Sequence, residues 1–541
     1  MLKRKHLQLA LFVGLSGSAA FGQTVPKLPS DPVTTCGQAR ATLKTIPGYN
    51  VDPALTPGHR LLFIDPYVLQ EANEVTWKLH EPHKVGAVIR AEQAWEENEI
   101  QIRSAPVWSA TEKKWKIWYF SDNGTGMATS EDGIHWTKPS FGKTSYNGST
   151  DNNMVSIGGY TAKRGADEYL ENVIYDPDDP DPGRRYKALA GVVGRRLVVS
   201  ADGVDWKALD RPLISGDDES SAYYDRDNKL FITAIKHPGP YGRSVYLAVS
   251  RNFDSWTDSR DCLIFHADYE DQRLGVQRIH ARLNDPAFQK PVYDIPAEYN
   301  VDVYYMSILR YQGLYLAFPV MFHKTGQVPK DWPGFDRQTL SPSISKTVHQ
   351  VGDWTGFHQV EMLSSRDLIE WQHVGERQPI LDESRLDGHS YDLQNIWAPE
   401  PVVHGDELWF YYTGSRTYGI VTSEVADYRA ICLAKLRLDG FVSLNAGRTP
   451  GQVVTRPLLL GAGSLHLNVN AAGGAVMVEI LDAEGKHVLD GYALSKGQPV
   501  TGDHLDTEFK WKGATITSLA GRRVCLRFTL RNAELYSAWV N

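Results

Sequence analysis

Carboxylates recur at one kind of place in this chain, a few residues before or within a run of apolar and aromatic residues. Glu171 lies in Y-L-E-N-V-I-Y, Asp217, Asp218 and Glu219 in G-D-D-E-S-S-A-Y-Y, and Asp302 in Y-N-V-D-V-Y-Y-M. Asp392 and Glu400 lie in S-Y-D-L-Q-N-I-W-A-P-E-P, and Asp65 in F-I-D-P-Y. Burying a charge is costly, so acids avoid such flanks unless a partner or a function holds them there. Carboxylates brought together in one pocket are what glycoside hydrolysis needs: one protonates the leaving oxygen, the other attacks or activates water. Taken singly, each acid reads more readily as a turn cap or an ion-pair partner. The set from separate segments is what points to a site. Asp176, Asp225 and Asp406 lie in hairpin turns and read as structural. Arg243 and Arg310 are the expected substrate-orienting cations, able to hold a hydroxyl or a carboxylate, with His237, His323 and Trp397 as further binding residues.

A repeated hairpin must position these groups. S-E-D-G-I-H-W at Ser130–Trp136 returns as S-A-D-G-V-D-W at Ser200, S-R-N-F-D-S-W at Ser250 and S-R-D-L-I-E-W at Ser365. Each copy follows a short apolar run, so strand, polar turn and strand-opening Trp make a hairpin. Upstream lie K-W-K-I-W-Y-F, R-Y-K-A-L-A-G, K-L-F-I-T-A-I, L-Y-L-A-F-P-V and L-W-F-Y-Y-T-G, dense in aromatic and β-branched residues and preceded by turn residues. Five such central strands predict five four-stranded blades, an all-β five-bladed propeller, over 56–440. An irregular sandwich explains the repeats less well. The inner strands would line a channel, and the expected site is one axial pocket holding Glu171, Asp218, Asp302 and Asp392. Insertions at about 260–300 and 323–355 are long enough to wall its mouth. After Phe441 the pattern changes to strands such as A-V-M-V-E-I-L-D and V-C-L-R-F-T-L, which predict a β-sandwich over 441–541.

At 541 residues, with 42% hydrophobic and 23% charged residues, the chain is an ordinary globular protein of two or three domains. Lys3, Arg4 and Lys5, an apolar stretch and Ala20-Phe21-Gly22 read as a secretory signal over 1–22, too short to span a bilayer, with cleavage before Gln23. A Pro-rich leader follows over 23–55. The expected location is periplasmic or secreted, without membrane insertion after cleavage. Losing the three basic residues takes the formal charge from −8 to −11, and no basic tract remains to track phosphates, so nucleic acid is excluded as a partner. The four cysteines contain no C-x-x-C pair, and no metal site is expected from spacing. Cys432 and Cys525 read as buried thiols, whereas export permits, without establishing, a disulfide between Cys36 and Cys262. No cofactor is expected, with a cation left open, and the oligomeric state is not legible.

L-F-I-D-P-Y-V-L, the S-x-D-G-x-x-W hairpins, V-D-V-Y-Y-M with Y-Q-G-L-Y-L, and P-V-V-H-G-D-E-L-W-F-Y-Y-T-G together resemble exported bacterial proteins related to glycoside hydrolase families 32 and 43. The tail from F-V-S-L-N-A-G to L-Y-S-A-W-V is similar to that group as well, so the resemblance covers nearly the whole mature chain. It implies a five-bladed propeller, a carbohydrate substrate, and a base Asp, an orienting Asp and an acid Glu from different blades. Asp65-Pro66 is similar to the Asp-Pro that carries the family 43 base, while Glu171, Glu219 and Glu400 compete as the acid. Alternatives on the same fold are a sialidase, with Arg243, Arg278 and Arg310 as its arginine triad, and a polysaccharide lyase using His237, His280, His323 or His389. A non-catalytic glycan-binding protein is the third.

Overall fold

The four S-x-D/N turns are closed by the same side-chain bonds from their Asp or Asn and their Trp. In the first, Asp132 Oδ1 accepts from the backbone N–H of Ile134 and of His135, Ser130 Oγ accepts from Gly133 N, and Trp136 Nε1 donates back to Gly133 O. The Asp/Asn and Trp bonds recur at Asp202 and Trp206, at Asn252 and Trp256, and at Asp367 and Trp371; the Ser bond recurs at Gly203 and Phe253, and Ser365 Oγ accepts from Asp367 N. The residue after the Asp or Asn takes a left-handed conformation in every copy. Gly133 and Gly203 do so without strain, whereas Phe253 (φ 68°) and Leu368 (φ 64°) adopt it despite a Cβ. The worn copies keep the turn because the side-chain oxygens still satisfy its backbone donors. Two of the turns also plug the neighbouring blade: Tyr411 donates to Gly133 O and Trp118 to Gly203 O.

The computed structural model describes residues 34–46, 54–55, 57–97, 99–121, 123–158, 169–191, 194–337, 342–418 and 427–541. The signal and most of the leader expected at the N-terminus lie outside them. Five sheets form the propeller. Blade one has Val107–Ser109, Lys114–Ser121 and Gly124–Ser130, and a bridge from Gln101 to Phe120 continues its inner edge. Blade two runs outward from Leu170–Tyr175, blade three from Ser220–Asp225, blade four from Asn300–Tyr311 and blade five from Asn395–Trp397. The ring closes through a strand from far away in sequence: His83–Arg90 pairs antiparallel with Arg429–Arg437 as the outermost strand of blade five.

The expected start of the propeller at 56 does not hold. Ala54–Leu55, Arg60–Leu62, Leu69–Asn73 and Thr76–Leu79 pair with Leu458–Leu460, Ala533–Val540, Gly451–Thr455 and Val442–Ala446. The predicted first strand from Arg60 therefore belongs to the C-terminal module. Its alternating apolar residues fit that module's single core, in which Leu55, Leu61 and Phe63 pack with Leu467, Ile480, Phe528 and Leu535. Cys36 and Cys262 form a disulfide that ties helix α1 (Gly37–Leu43) to blade three. The insertion after blade three carries helix α2 (Tyr269–Asn284), capped at both ends of its first turn by the reciprocal Asp268–Asp271 pair. No helix among the described residues is long and apolar enough to cross a membrane.

Candidate functional site

Five inner edges meet at one end of the channel and bring opposite charges together. From blade one comes Arg103, 4% exposed, whose guanidinium grips both carboxylate oxygens of Glu219 on blade three, Nη2 at 2.9 Å. From blade two comes Glu171, also buried, with Arg195 Nε at 2.6 Å, Ser220 Oγ at 2.7 Å and Ser220 N–H donating at 3.1 Å. Asp218, at the start of the inner strand of blade three, leaves about half its side chain open and pairs with the buried Lys236 ammonium at 2.7 Å. On blade four, Asp302 receives Arg243 in a fork at 2.9–3.0 Å. The Arg243 guanidinium lies over the Tyr304 and Phe322 rings, and the Lys236 ammonium also lies over the Tyr304 ring, 4.2 Å from its centroid. Trp397 of blade five, His358 and Tyr418 complete an aromatic wall around Tyr304.

The electrostatics separate two of these acids. Burial pushes the Glu171 carboxyl up, Arg195 opposes it, Glu219 adds to it, and the result is about 7. Burial also pushes Asp218 up, but the Lys236 ammonium and then Arg243 outweigh it and hold the carboxyl below its ordinary value. Lys236 in turn is lowered by burial, against the pull of Asp218 and Glu219. His358 is pushed well below the ordinary range by burial and by Arg243 and stays neutral.

Several buried polar atoms here have no hydrogen-bond partner among the described residues: both ring nitrogens of His358, Trp397 Nε1, both amide atoms of Asn395, and Arg429 Nε. Asn395 and Trp397 share a face of the inner strand, and Trp397 touches both His358 and Arg429. Native proteins rarely leave such groups unpaired, and here all of them are closed off from solvent, His358 and Asn395 at 0% exposure.

The structure brings together Glu171, Asp218, Asp302, Arg243 and Trp397, and moves the other expected residues away. Asp392 sits inside blade five, bound by Lys84 at 2.7 Å and by the Tyr412 hydroxyl at 3.0 Å. Asp65 caps a short helical turn and clamps Arg366 at 2.9 Å, so it fastens the N-terminal segment to blade four. Arg310 ends the strand that Asp302 begins, about 26 Å away at 3.3 Å per residue, near Asp225 and Asp227. His237 follows Lys236 on its strand and so faces the other way, onto Ser259 and Tyr246. His323 likewise alternates with Phe322 and stacks on Phe357. The sialidase triad is not assembled, because Arg278 is engaged on α2 by Glu361 and Arg310 lies at the far end. His280 and His389 are exposed outside the pocket. Sequence reading missed Arg103, Arg195, Lys236, Tyr304 and His358, which carry no motif. The one signal was Lys236 and Arg195 as cations within apolar strand runs.

Glu400 follows the inner strand of blade five, where Tyr305 and Tyr223 feel its charge. Burial pushes its carboxyl up to about 8, opposed only by its own backbone N–H. An acid whose folded value is raised costs no stability below its unfolded value of 4.5, and the penalty grows as pH rises toward 8. Glu400→Gln is therefore expected to raise the melting temperature at pH 8.5–9 and leave it nearly unchanged at pH 4.5. Scanning calorimetry at the two pH values checks this, and an equal shift at both would refute it. Among the described residues one trio has metal-ligand types close together, Asp268, Asp271 and His373, but the Arg377 guanidinium already bridges the two aspartates.

No protein-family model matches the chain, and no curated protein matches it. Among solved structures, one described as a glycoside hydrolase is 13% identical, with a TM-score of 0.37, over 66% of this chain and 92% of that one. An N-acetylgalactosamine deacetylase from F. plautii is 13% identical, TM-score 0.38, over 68% and 96%. The GH32 β-fructofuranosidase of Bombyx mori is 10% identical, TM-score 0.36, over 88% of this chain and 94% of that one.

Proposed function

We propose that the chain is a glycoside hydrolase whose carbohydrate substrate enters the axial pocket, with Glu171 as general acid and Asp218 as the second carboxylate. The observation that carries this reading is a pair of acids from neighbouring blades, both drawn into one charged cluster with Ser220, Lys236 and Arg243 and shifted in opposite directions, Glu171 up to about 7 and Asp218 below its ordinary value. Glu171 delivers its proton to the glycosidic oxygen as that bond breaks. Asp218, left ionised by Lys236, acts on the anomeric carbon or on the water that attacks it. Arg243, fixed by Asp302 and partly open to solvent, holds the sugar hydroxyls. We place this action outside the cytoplasm, supported by the Lys3–Gly22 signal pattern and the Cys36–Cys262 disulfide.

A second reading, a glycan-binding protein without turnover, has one observation in its favour: Glu171, Asp218, Glu219 and Asp302 each have a cationic partner. Incubating the exported protein, with its N-terminal sequence read at Gln23, with a panel of plant and algal polysaccharides separates the readings. Hydrolysis gives new saturated reducing ends. Products absorbing in the ultraviolet would instead mean a lyase. Retention on a glycan without products would leave the binder.

A further inference from the structure

We propose that the sugar-binding surface runs out of the pocket along blade four to Trp354, which forms the platform for a further unit of a carbohydrate chain. The ligand is then an oligo- or polysaccharide rather than a monoglycoside. This rests on reading the pocket as a carbohydrate site.

Three antiparallel strands make the path: Asn300–Tyr311, Leu314–Val328 and Asp353–Val360. Their cross-strand partners extend one face from the pocket. Asp302 pairs with Phe322 and Phe322 with His358; Asn300 pairs with Lys324 and Lys324 with Gly356. Side chains alternate along a strand, so Trp354, Gly356 and His358 share that face. The Phe322 ring lies against Gly356, so the surface between the platform and the pocket is made by Phe322, Lys324 and the Asp302–Arg243 pair. Trp354 is 44% exposed. The Lys324 ammonium lies over its ring, 4.0 Å from the centroid. Lys324 is itself tethered by Glu298 at 3.5 Å and lies in the field of Asp302 and Arg243, so platform and pocket are one charged, aromatic surface. Four residues of strand put Trp354 about 13 Å beyond His358, farther than one sugar ring spans. A broad apolar ring partly open to water, with a cation against it, suits the apolar face of a pyranose.

The test uses the full chain and two probes of the sugar that the polysaccharide panel identifies: its 4-nitrophenyl glycoside and its tetrasaccharide. Trp354→Ala should lower kcat/KM on the tetrasaccharide about tenfold more than on the aryl glycoside, through KM rather than kcat. Trp354→Phe should recover part of the loss. Equal effects on the two probes, or none, overturn the proposal. Should the wild type cleave neither probe, the hydrolase reading fails, and native affinity electrophoresis in the panel polysaccharides then decides the platform. Retardation of the wild type that Trp354→Ala weakens supports it, and retardation absent or unchanged overturns it.

Discussion

Replacing Glu171 by Gln should lower turnover of the natural glycan by about 100- to 10,000-fold, the range in which general acids contribute. The substitution keeps the side-chain shape, and Arg195 retains Ser220 Oγ and the Asp217 carbonyl, so the fold should persist. Two further readouts distinguish acid catalysis from a structural role. An aryl glycoside with a nitrophenolate leaving group needs little protonation, so its loss should be far smaller. In the wild type, kcat/KM should decline as pH rises through about 7, because burial places Glu171 there and only the protonated form donates. That alkaline limb should vanish in Glu171→Gln. Full activity in the variant, or equal losses on both leaving groups, would remove Glu171 from the role.

The second large effect is on stability. Arg103 is buried, grips Glu219 with two nitrogens, and gives further bonds to Ile102 O and Gln101 Oε1. Arg103→Met should cost about 3–5 kcal/mol, because it strands the buried Glu219 charge beside the buried Glu171. The double replacement Arg103→Met with Glu219→Leu should cost markedly less than Arg103→Met alone, since it leaves no orphaned charge. Urea unfolding of the three variants against the wild type reads the coupling. A neutral Arg103→Met would show that the pair contributes nothing.

The architecture was legible because its signals are local. The S-x-D turn is closed by atoms within seven residues, so four copies announce their hairpins without knowledge of the ring. Five aromatic strands gave the blade count for the same reason. The inner-strand positions of Glu171, Asp218 and Asp302 followed from that register. What the sequence did not disclose depends on partners far apart in the chain. Arg103 meets Glu219 across 116 positions, and Cys36 meets Cys262 across 226. The closing strand His83–Arg90 and the four short strands before it choose between two modules by which core fits their apolar residues. Strand parity decided the rest. Lys236 and His237 are neighbours, and so are Phe322 and His323, yet one of each pair faces the pocket and the other a packed blade. Asp392 looked like its counterparts in composition, but only the tertiary structure could set Lys84 beside it and take it off the axis. Sequence therefore determined the repeating fold and a set of candidate acids. The tertiary structure decided which of them share a pocket, because burial, charge pairing and the facing of each strand exist only once the blades have closed.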